Sequence, residues 1–471
     1  VMRRRILVVV AVVVGVGIIF AALRQGSFIS ISVGLLVLVS PLLLLAGIRR
    51  PALYGWLFGL VLGAAPFATL PGTGTQLVFF LAALFVVVAV GHARERRRET
   101  RTTTLAIWMA VTIAACLISM IATFDGAEAL NQWARWALAS VLVCVGVWMS
   151  PLLRIALSRS YVVGTCIGAV LSIILSVVDK TGSFVQGLTF VGYGGAGSPI
   201  VRTVEVSGSL SVRATGLYTD PNTAGLFFVM ALGVAAFVFR GSARVVTMVV
   251  LTLGIAATLS RSAILAVIFA AFIVLIVQKQ STVRRIVIGL VSAIALAFLA
   301  LTPSIAGRLT NSFSNSDKGA LDRFAAYANY PGQLEGHWLF GRGWALREFT
   351  DSYYGYLVNH VANTPLLVVY RGGIFAGLAF LALLIVGLAI SVRGLRSDDI
   401  GFGMMGAVFF GLVIVAFQLD FPVVTQPPLT MAFSILLMNL GVAGGRPLGP
   451  IPGIRSPQTA FIPQRQGALT P

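Results

Sequence analysis

Apolar runs of 15 to 20 residues recur from Ile6 almost to Val442. As a helix, each is long enough, or nearly so, to cross roughly 30 Å of hydrocarbon. The runs lie near 6–23, 28–48, 52–68, 76–91, 103–122, 131–149, 161–178, 222–239, 245–259, 263–278, 286–302, 366–391, 402–418 and 427–442. Only 10% of the residues are charged and 58% are hydrophobic, whereas a soluble domain carries about 25% charged residues. A soluble globular protein is excluded, and the expected fold is all-α, a polytopic helical membrane protein with up to fourteen spans.

Lys and Arg number 34 against 15 Asp and Glu, a formal charge of +19 that in a soluble chain would point to nucleic acid. The spans give this charge another use. With a cytoplasmic N-terminus, the inner segments hold Arg3, Arg4, Arg5, Arg49, Arg50, the RERRRETR run at 94–101, Arg154 and Arg159. They also hold Arg240, Arg244, Lys279, Arg284, Arg285, Arg393, Arg396, Arg446, Arg455 and Arg465. These are 22 of the 34 basic residues, beside four acidic ones, Glu95, Glu99, Asp398 and Asp399. The outer side is nearly neutral, as the positive-inside rule requires. The expectation is a multi-pass protein of the inner, cytoplasmic membrane, with both termini cytoplasmic, lipids as neighbours and no nucleic-acid partner. The VMRRR start followed by the run at 6–23 has the charge profile of a signal peptide, but the run is long and has no clear small-x-small cleavage site. It reads as a retained first helix. Cys116, Cys144 and Cys166 each lie in an apolar run, so no disulfide framework is implied.

Six regions follow: N-terminal membrane helices at 1–178, a first outer loop at 179–221, helices at 222–302, a large outer loop at 303–365, helices at 366–442 and a tail at 443–471. Loops this long tend to carry function. The tail, with six prolines from Ala443 onward and no apolar period, reads as disordered. No internal repeat is visible. Gly192, Gly194 and Gly197 match G-x-G-x-x-G by spacing, but the strand and helix a dinucleotide site needs do not flank them.

Three outer stretches could carry chemistry. In RATGLYTDPN (213–222), Asp220 suits a helix N-cap and Pro221 the first helical position. Arg213 beside that helix end would offer an anion a guanidinium and backbone N–H groups; otherwise this is a capped helix next to an exposed arginine. In TLSRSA (258–263), Ser260, Arg261 and Ser262 make a minimal turn that puts Arg261 on the outer side, near the membrane boundary, where it either has a partner or snorkels to the headgroups. The large outer loop holds LDRFAAYANY (321–330), LEGHWLFGRGW (334–344) and YGYLVNHVANTPLLVVYRGG (354–373), with His337 and His360. A histidine is suited to removing a proton from a hydroxyl near neutral pH; the plain alternative is a loop histidine bonded to backbone. Glu335, Glu348, Asp351, Asp317 and Asp322 are rival bases. No Asp-x-Asp pair, H-E-x-x-H or Cys/His cluster occurs on the outer side, so no metal site is expected, and no cofactor.

Together these pieces resemble the O-antigen ligase and polymerase superfamily, membrane enzymes that act on glycans carried by polyprenyl pyrophosphate. The resemblance covers roughly residues 200–390. It rests on Arg213, Gly216 and Asp220 to Asn222; on Ser260 and Arg261; on Arg323, Tyr327, Gly341 and Gly343 of the large loop; and on Asn363, Leu366 and Gly373. Family members commonly have about twelve spans, which sets the expectation at 12–14. The ligases usually place a histidine immediately before the asparagine of the last motif. Here Ala362 stands there and His360 lies two residues earlier.

The resemblance implies metal-independent glycosyl transfer at the outer face. Arg213 and Arg261, with Arg323 or Arg371, would hold the donor pyrophosphate, and His360 would be the base on the acceptor hydroxyl. Asp220, Asn222, Ser260 and Asn363 would support them. The implied partners are a polyprenyl-pyrophosphate-linked glycan donor and a glycan, lipid or protein acceptor. A polymerase joining lipid-linked repeats is the alternative within the class. A lipid-linked glycan transporter would need polar residues along a mid-membrane route, whereas the charges here sit at span ends and in loops. The cell-wall polymerases related to rod-shape proteins fit the Arg-x-x-Gly and Ser-Arg pieces less well.

Overall fold

The computed structural model describes residues 50–70, 75–92, 100–179, 181–193, 203–206, 209–218, 220–279, 281–283, 285–286, 289–290, 327–345, 363–418 and 423–445. The helices are α1 (Pro51–Ala64), α2 (Leu77–Gly91), α3 (Thr100–Ala122), α4 (Ala127–Gly146), α5 (Pro151–Val178), the short α6 (Ser183–Gly187), α7 (Pro221–Val238), α8 (Gly241–Thr258), α9 (Arg261–Val277), α10 (Thr364–Leu395), α11 (Ile400–Gln418) and α12 (Pro427–Gly445). Among the described residues, α3, α5, α7, α8, α10, α11 and α12 are long and apolar enough to cross a membrane, and α1, α2 and α9 are shorter apolar helices. The chain is a polytopic helical membrane protein. The runs at 6–23 and 28–48 and most of 286–302 lie outside the described residues.

Each remaining run falls on a helix, with boundaries moved by capping. Ser150 accepts the Leu153 N–H at 3.3 Å and Pro151 takes the first helical position, so α5 begins ten residues before the apolar run does. Arg154 and Arg159, expected in a connection, therefore lie in its first turns. At the other end of the chain α12 continues to Gly445 with Ala443 and Gly444 buried, so the tail starts later than residue 443. The long connection expected at 179–221 contains a hairpin: β1 (Thr203–Val206) and β2 (Ser209–Val212) pair antiparallel, Thr203 opposite Val212 and Val206 opposite Ser209.

Helices α7 and α12 are buried almost all round and form the centre of the bundle. Around α7 pack α5, α8, α9 and α11, and around α12 pack α3, α4 and α10. Two buried polar side chains tie these helices together: Asn439 donates to Ser158 at 2.9 Å and to Ile435 O at 2.8 Å, and Tyr161 donates to Phe227 O at 3.1 Å. Such bonds replace those that water would supply elsewhere.

A close backbone approach joins α1 to α5. Gly55, Gly59 and Gly63 share one face of α1, and a β-carbon at Gly59 would stand 2.1 Å from Ser160 Oγ and 2.6 Å from Leu157 O. At Gly63 it would meet Thr165 N and Tyr161 O, each at 2.4 Å. Small residues at four-residue spacing allow membrane helices to touch backbone to backbone, where packing rather than hydrophobicity holds them together. Gly59→Leu is therefore expected to cost about 1–3 kcal/mol through overpacking, read as a lower melting temperature of the detergent-purified protein. Gly91→Leu, at a site with nothing within 4 Å, should leave the melt unchanged; equal effects would mean that α1 does not dock through its glycines.

Helices α7, α9, α10 and α12 begin, and α3, α5, α8 and α11 finish, at the same end of the bundle. At the opposite end the Arg159 guanidinium lies 5.9 Å from the Phe239 ring centroid and Arg244 Nε donates to Phe239 O at 2.8 Å.

Candidate active site

Arg213 is 6% exposed and spans two helix ends. Its Nε donates to Thr258 O, the last residue of α8, at 3.0 Å, and its Nη2 donates to Asn222 Oδ1 in the first turn of α7 at 2.8 Å. The backbone beside Arg213 is tied in too, because Ala214 N donates to Ala257 O at 3.1 Å. Asp220 caps α7 as its sequence position requires: one carboxylate oxygen accepts the N–H groups of Asn222 at 2.8 Å and Thr223 at 3.1 Å, and the other accepts the Thr223 hydroxyl. The alternative of an exposed arginine beside a capped helix does not hold for Arg213, which is buried and bonded.

The Ser-Arg turn joins the same cluster. Leu259 ends α8 in the left-handed region at φ 51°, reversing the chain into Ser260, which caps α9. Gly225 of α7 lies against this turn, where an added β-carbon would stand 3.0 Å from Ser260 Cβ and 3.2 Å from Thr258 Oγ1. Arg261, the half-buried first residue of α9, thus enters beside the α7 N-terminus. Two helix N-termini, each with positive partial charge, and two arginines converge on one small region.

Arg371 and Asn363 form a second region on α10. This helix is 32 residues long, about 48 Å at 1.5 Å per residue, and is broken at Gly373 (φ 78°, ψ 178°). The stretch 374–395 alone is about 33 Å long, enough to cross the hydrocarbon, which leaves Arg371 near the membrane boundary. The loop 337–344 fills the break. Ile374 N donates to Trp338 O at 2.9 Å, Arg342 N to Tyr370 O at 2.7 Å and Ser119 Oγ to Arg371 O at 3.1 Å, so α10 groups diverted from the helix ladder find partners. A second contact of Ser119 reaches Phe340 O. Gly341 and Gly343 adopt φ of 71° and 94°, and a β-carbon on Gly341 would stand 2.7 Å from Tyr370 O. The Arg371 guanidinium is buried, 5.3 Å from the Trp344 ring centroid.

Asn363 caps α10, accepting from Leu366 N at 3.1 Å, and donates to Phe417 O at the end of α11 at 2.9 Å. Tyr330, on a helical stretch at 327–334, donates to Leu366 O at 2.6 Å. Burial, with the nearby Tyr370 phenol adding to it, raises the Tyr330 pKa and keeps it a donor. His337 is exposed with Nδ1 2.9 Å from Glu335 O, the plain backbone-bonded loop histidine. His360 and Arg323 lie outside the described residues.

The structure thus brings Arg213, Asp220, Asn222, Ser260 and Arg261 into one cluster and gathers Asn363 and Arg371 around the head of α10. Ser119, Thr223 and Gln426 are polar residues at these sites that were not singled out above. Gln426 had a signal, since it directly precedes the Pro-Pro start of α12. Among the described residues no group of three or more His, Cys, Asp or Glu side chains is placed to hold a metal ion.

Residues 246–381 match the protein-family model described as O-Antigen ligase. The matched stretch includes Ser260, Arg261, Gly341, Asn363, Arg371 and Gly373, and starts after Arg213 and Asp220. A comparison with curated proteins gave no match. Through this stretch, at the site end of a polytopic helical bundle, the chain is similar to the O-antigen ligase family.

Proposed function

We propose that this protein moves a glycan from polyprenyl pyrophosphate to an acceptor hydroxyl at the outer face of the cytoplasmic membrane, as a metal-independent inverting glycosyltransferase. The observation that carries this reading is the Arg213 clamp, a buried guanidinium fixed between Thr258 O and Asn222 Oδ1 beside the start of α9. Donors held rigid before reaction stabilise charge that develops on a leaving group without reorganising at that moment. Arg213 and Arg261 would hold the donor pyrophosphate, with Arg371 and Arg323 as further cations. As the anomeric C–O bond breaks, the electron pair leaves with the pyrophosphate, and the acceptor oxygen attacks the opposite face, inverting the centre. His360 would take the acceptor proton.

The sidedness rests on charge. Arg154, Arg159, Arg240, Arg244, Arg393 and Arg396 belong to the end of the bundle opposite the site, the cytoplasmic end under the positive-inside rule.

The test is a gel profile of lipid-linked and mature surface glycans from cells lacking the protein, repeated after complementation. Long lipid-linked chains that never reach their acceptor identify a ligase; short lipid-linked units without long chains identify a polymerase. Arg261→Ala is expected to leave protein in the membrane near the wild-type level while losing about 10²-fold or more in transfer. A normal profile from Arg261→Ala would remove the pyrophosphate role and favour a transporter.

A further inference from the structure

The Thr223 hydroxyl stands between two acceptors. Its oxygen contacts Asp220 Oδ2 and lies 2.9 Å from Gln426 Oε1. A hydroxyl carries one proton, and both a carboxylate oxygen and an amide oxygen only accept. Both contacts become hydrogen bonds when the Gln426 amide presents its NH2 group to Thr223 Oγ1 and the Thr223 proton goes to Asp220, an orientation set by the network. The result is a directed chain, Gln426 N–H to Thr223 O–H to Asp220 carboxylate, ending at the cap that also accepts the Asn222 and Thr223 N–H groups. Thr223 is fully buried, and Gln426 leads into α12, whose Thr430 N donates to Gln426 O at 3.1 Å.

We propose that Gln426 is a positioning residue: through the Thr223 hydroxyl it orients Asp220 and fixes the first α7 turn, on which Asn222 holds Arg213. The proposal rests on the pyrophosphate reading above and adds to it a residue just before another helix, outside the matched family region. It joins the two central helices of the bundle at the point where Arg213 is held.

The probe is geranylgeranyl pyrophosphate, titrated into the full-length detergent-purified protein, with each melting temperature measured in parallel. Thr223→Val keeps the shape and removes the hydroxyl; it and Gln426→Ala should each weaken binding about tenfold, the scale of one hydrogen bond to a charged group. Thr223→Ser should bind within about twofold of wild type, because it keeps the hydroxyl. Gln426→Glu should be the weakest, since a second acceptor cannot complete the chain. If Thr223→Val binds like wild type while Arg261→Ala is weakened, the positioning role is wrong and the pyrophosphate site stands. If Arg261→Ala binds as wild type does, or wild type does not bind, both fall. Loss of binding that only tracks a lower melting temperature, unrelieved in Thr223→Ser, would make Thr223 structural and overturn the proposal.

Discussion

Gly373→Ala is expected to lower the stability of the purified protein by about 4 kcal/mol or more, at the exceptional end of single substitutions. Two costs act together. At φ 78° and ψ 178° the residue occupies a backbone region that is essentially glycine-only. An added β-carbon would also lie 1.9 Å from Leu339 O and 2.8 Å from Phe340 Cα. These are backbone atoms of a loop held by Ile374 N on Trp338 O and Arg342 N on Tyr370 O, so relief would require breaking the contacts that fill the kink. Gly372→Ala is the internal comparison. Its β-carbon would meet side-chain atoms, Ala376 Cβ at 2.7 Å and Cys116 Sγ at 3.0 Å, without a left-handed backbone, and should cost much less. Thermal melts in detergent decide it; a Gly373→Ala melt close to that of Gly372→Ala would mean that the break in α10 is not needed.

The kink shows where the sequence stops being legible. Hydropathy located every described membrane helix because length and apolar continuity are local properties. The start of α5 was lost for a local reason too, since Arg154 and Arg159 interrupt the apolar run while Ser150 and Pro151 mark the true beginning. The Gly55, Gly59 and Gly63 spacing was available as a packing signal, but its partner, α5, lies about a hundred residues away and cannot be named from spacing. Gly373 was legible only as a family glycine. That it breaks α10 depends on loop 337–344 accepting and donating the diverted bonds, a tertiary fact. The 203–212 hairpin was hidden in a region read as loop.

At the site, Asp220 and Pro221 were readable because a cap is written in adjacent residues. The bond from Arg213 to Thr258 O was not, since it joins residues 45 apart, nor was the Thr223–Gln426 contact, across 203. Arg261 was flagged by topology, an arginine on the side that otherwise has little net charge. Arg371 looked equivalent to it in sequence, yet it sits buried against Trp344 on another helix. In the described structure the Arg213 and Arg261 cluster and the Arg371 region are built from different elements, so losses at Arg213 and Arg371 need not be alike.

Arg213→Ala is expected to reduce glycan transfer by about 10²–10³-fold, the range seen when one preorganised donor to developing charge is removed. It should also destabilise, because Asn222 Oδ1 and Thr258 O lose their donor; a buried group left unsatisfied costs about 1–3 kcal/mol. Arg213→Lys separates charge from geometry. An ammonium keeps the charge but is a compact point on a flexible stem, and it cannot reach Thr258 O and Asn222 Oδ1 from two nitrogens as the guanidinium does at 3.0 and 2.8 Å. Most of the loss should therefore persist in Arg213→Lys. The readouts are the surface-glycan profile, the amount of protein in the membrane and the melting temperature of the purified variants. Near-normal glycan from Arg213→Lys would show that charge alone suffices and that the clamp does not position the donor. Transfer that falls only as far as protein level, in both variants, would make Arg213 a structural tie between α7 and α8.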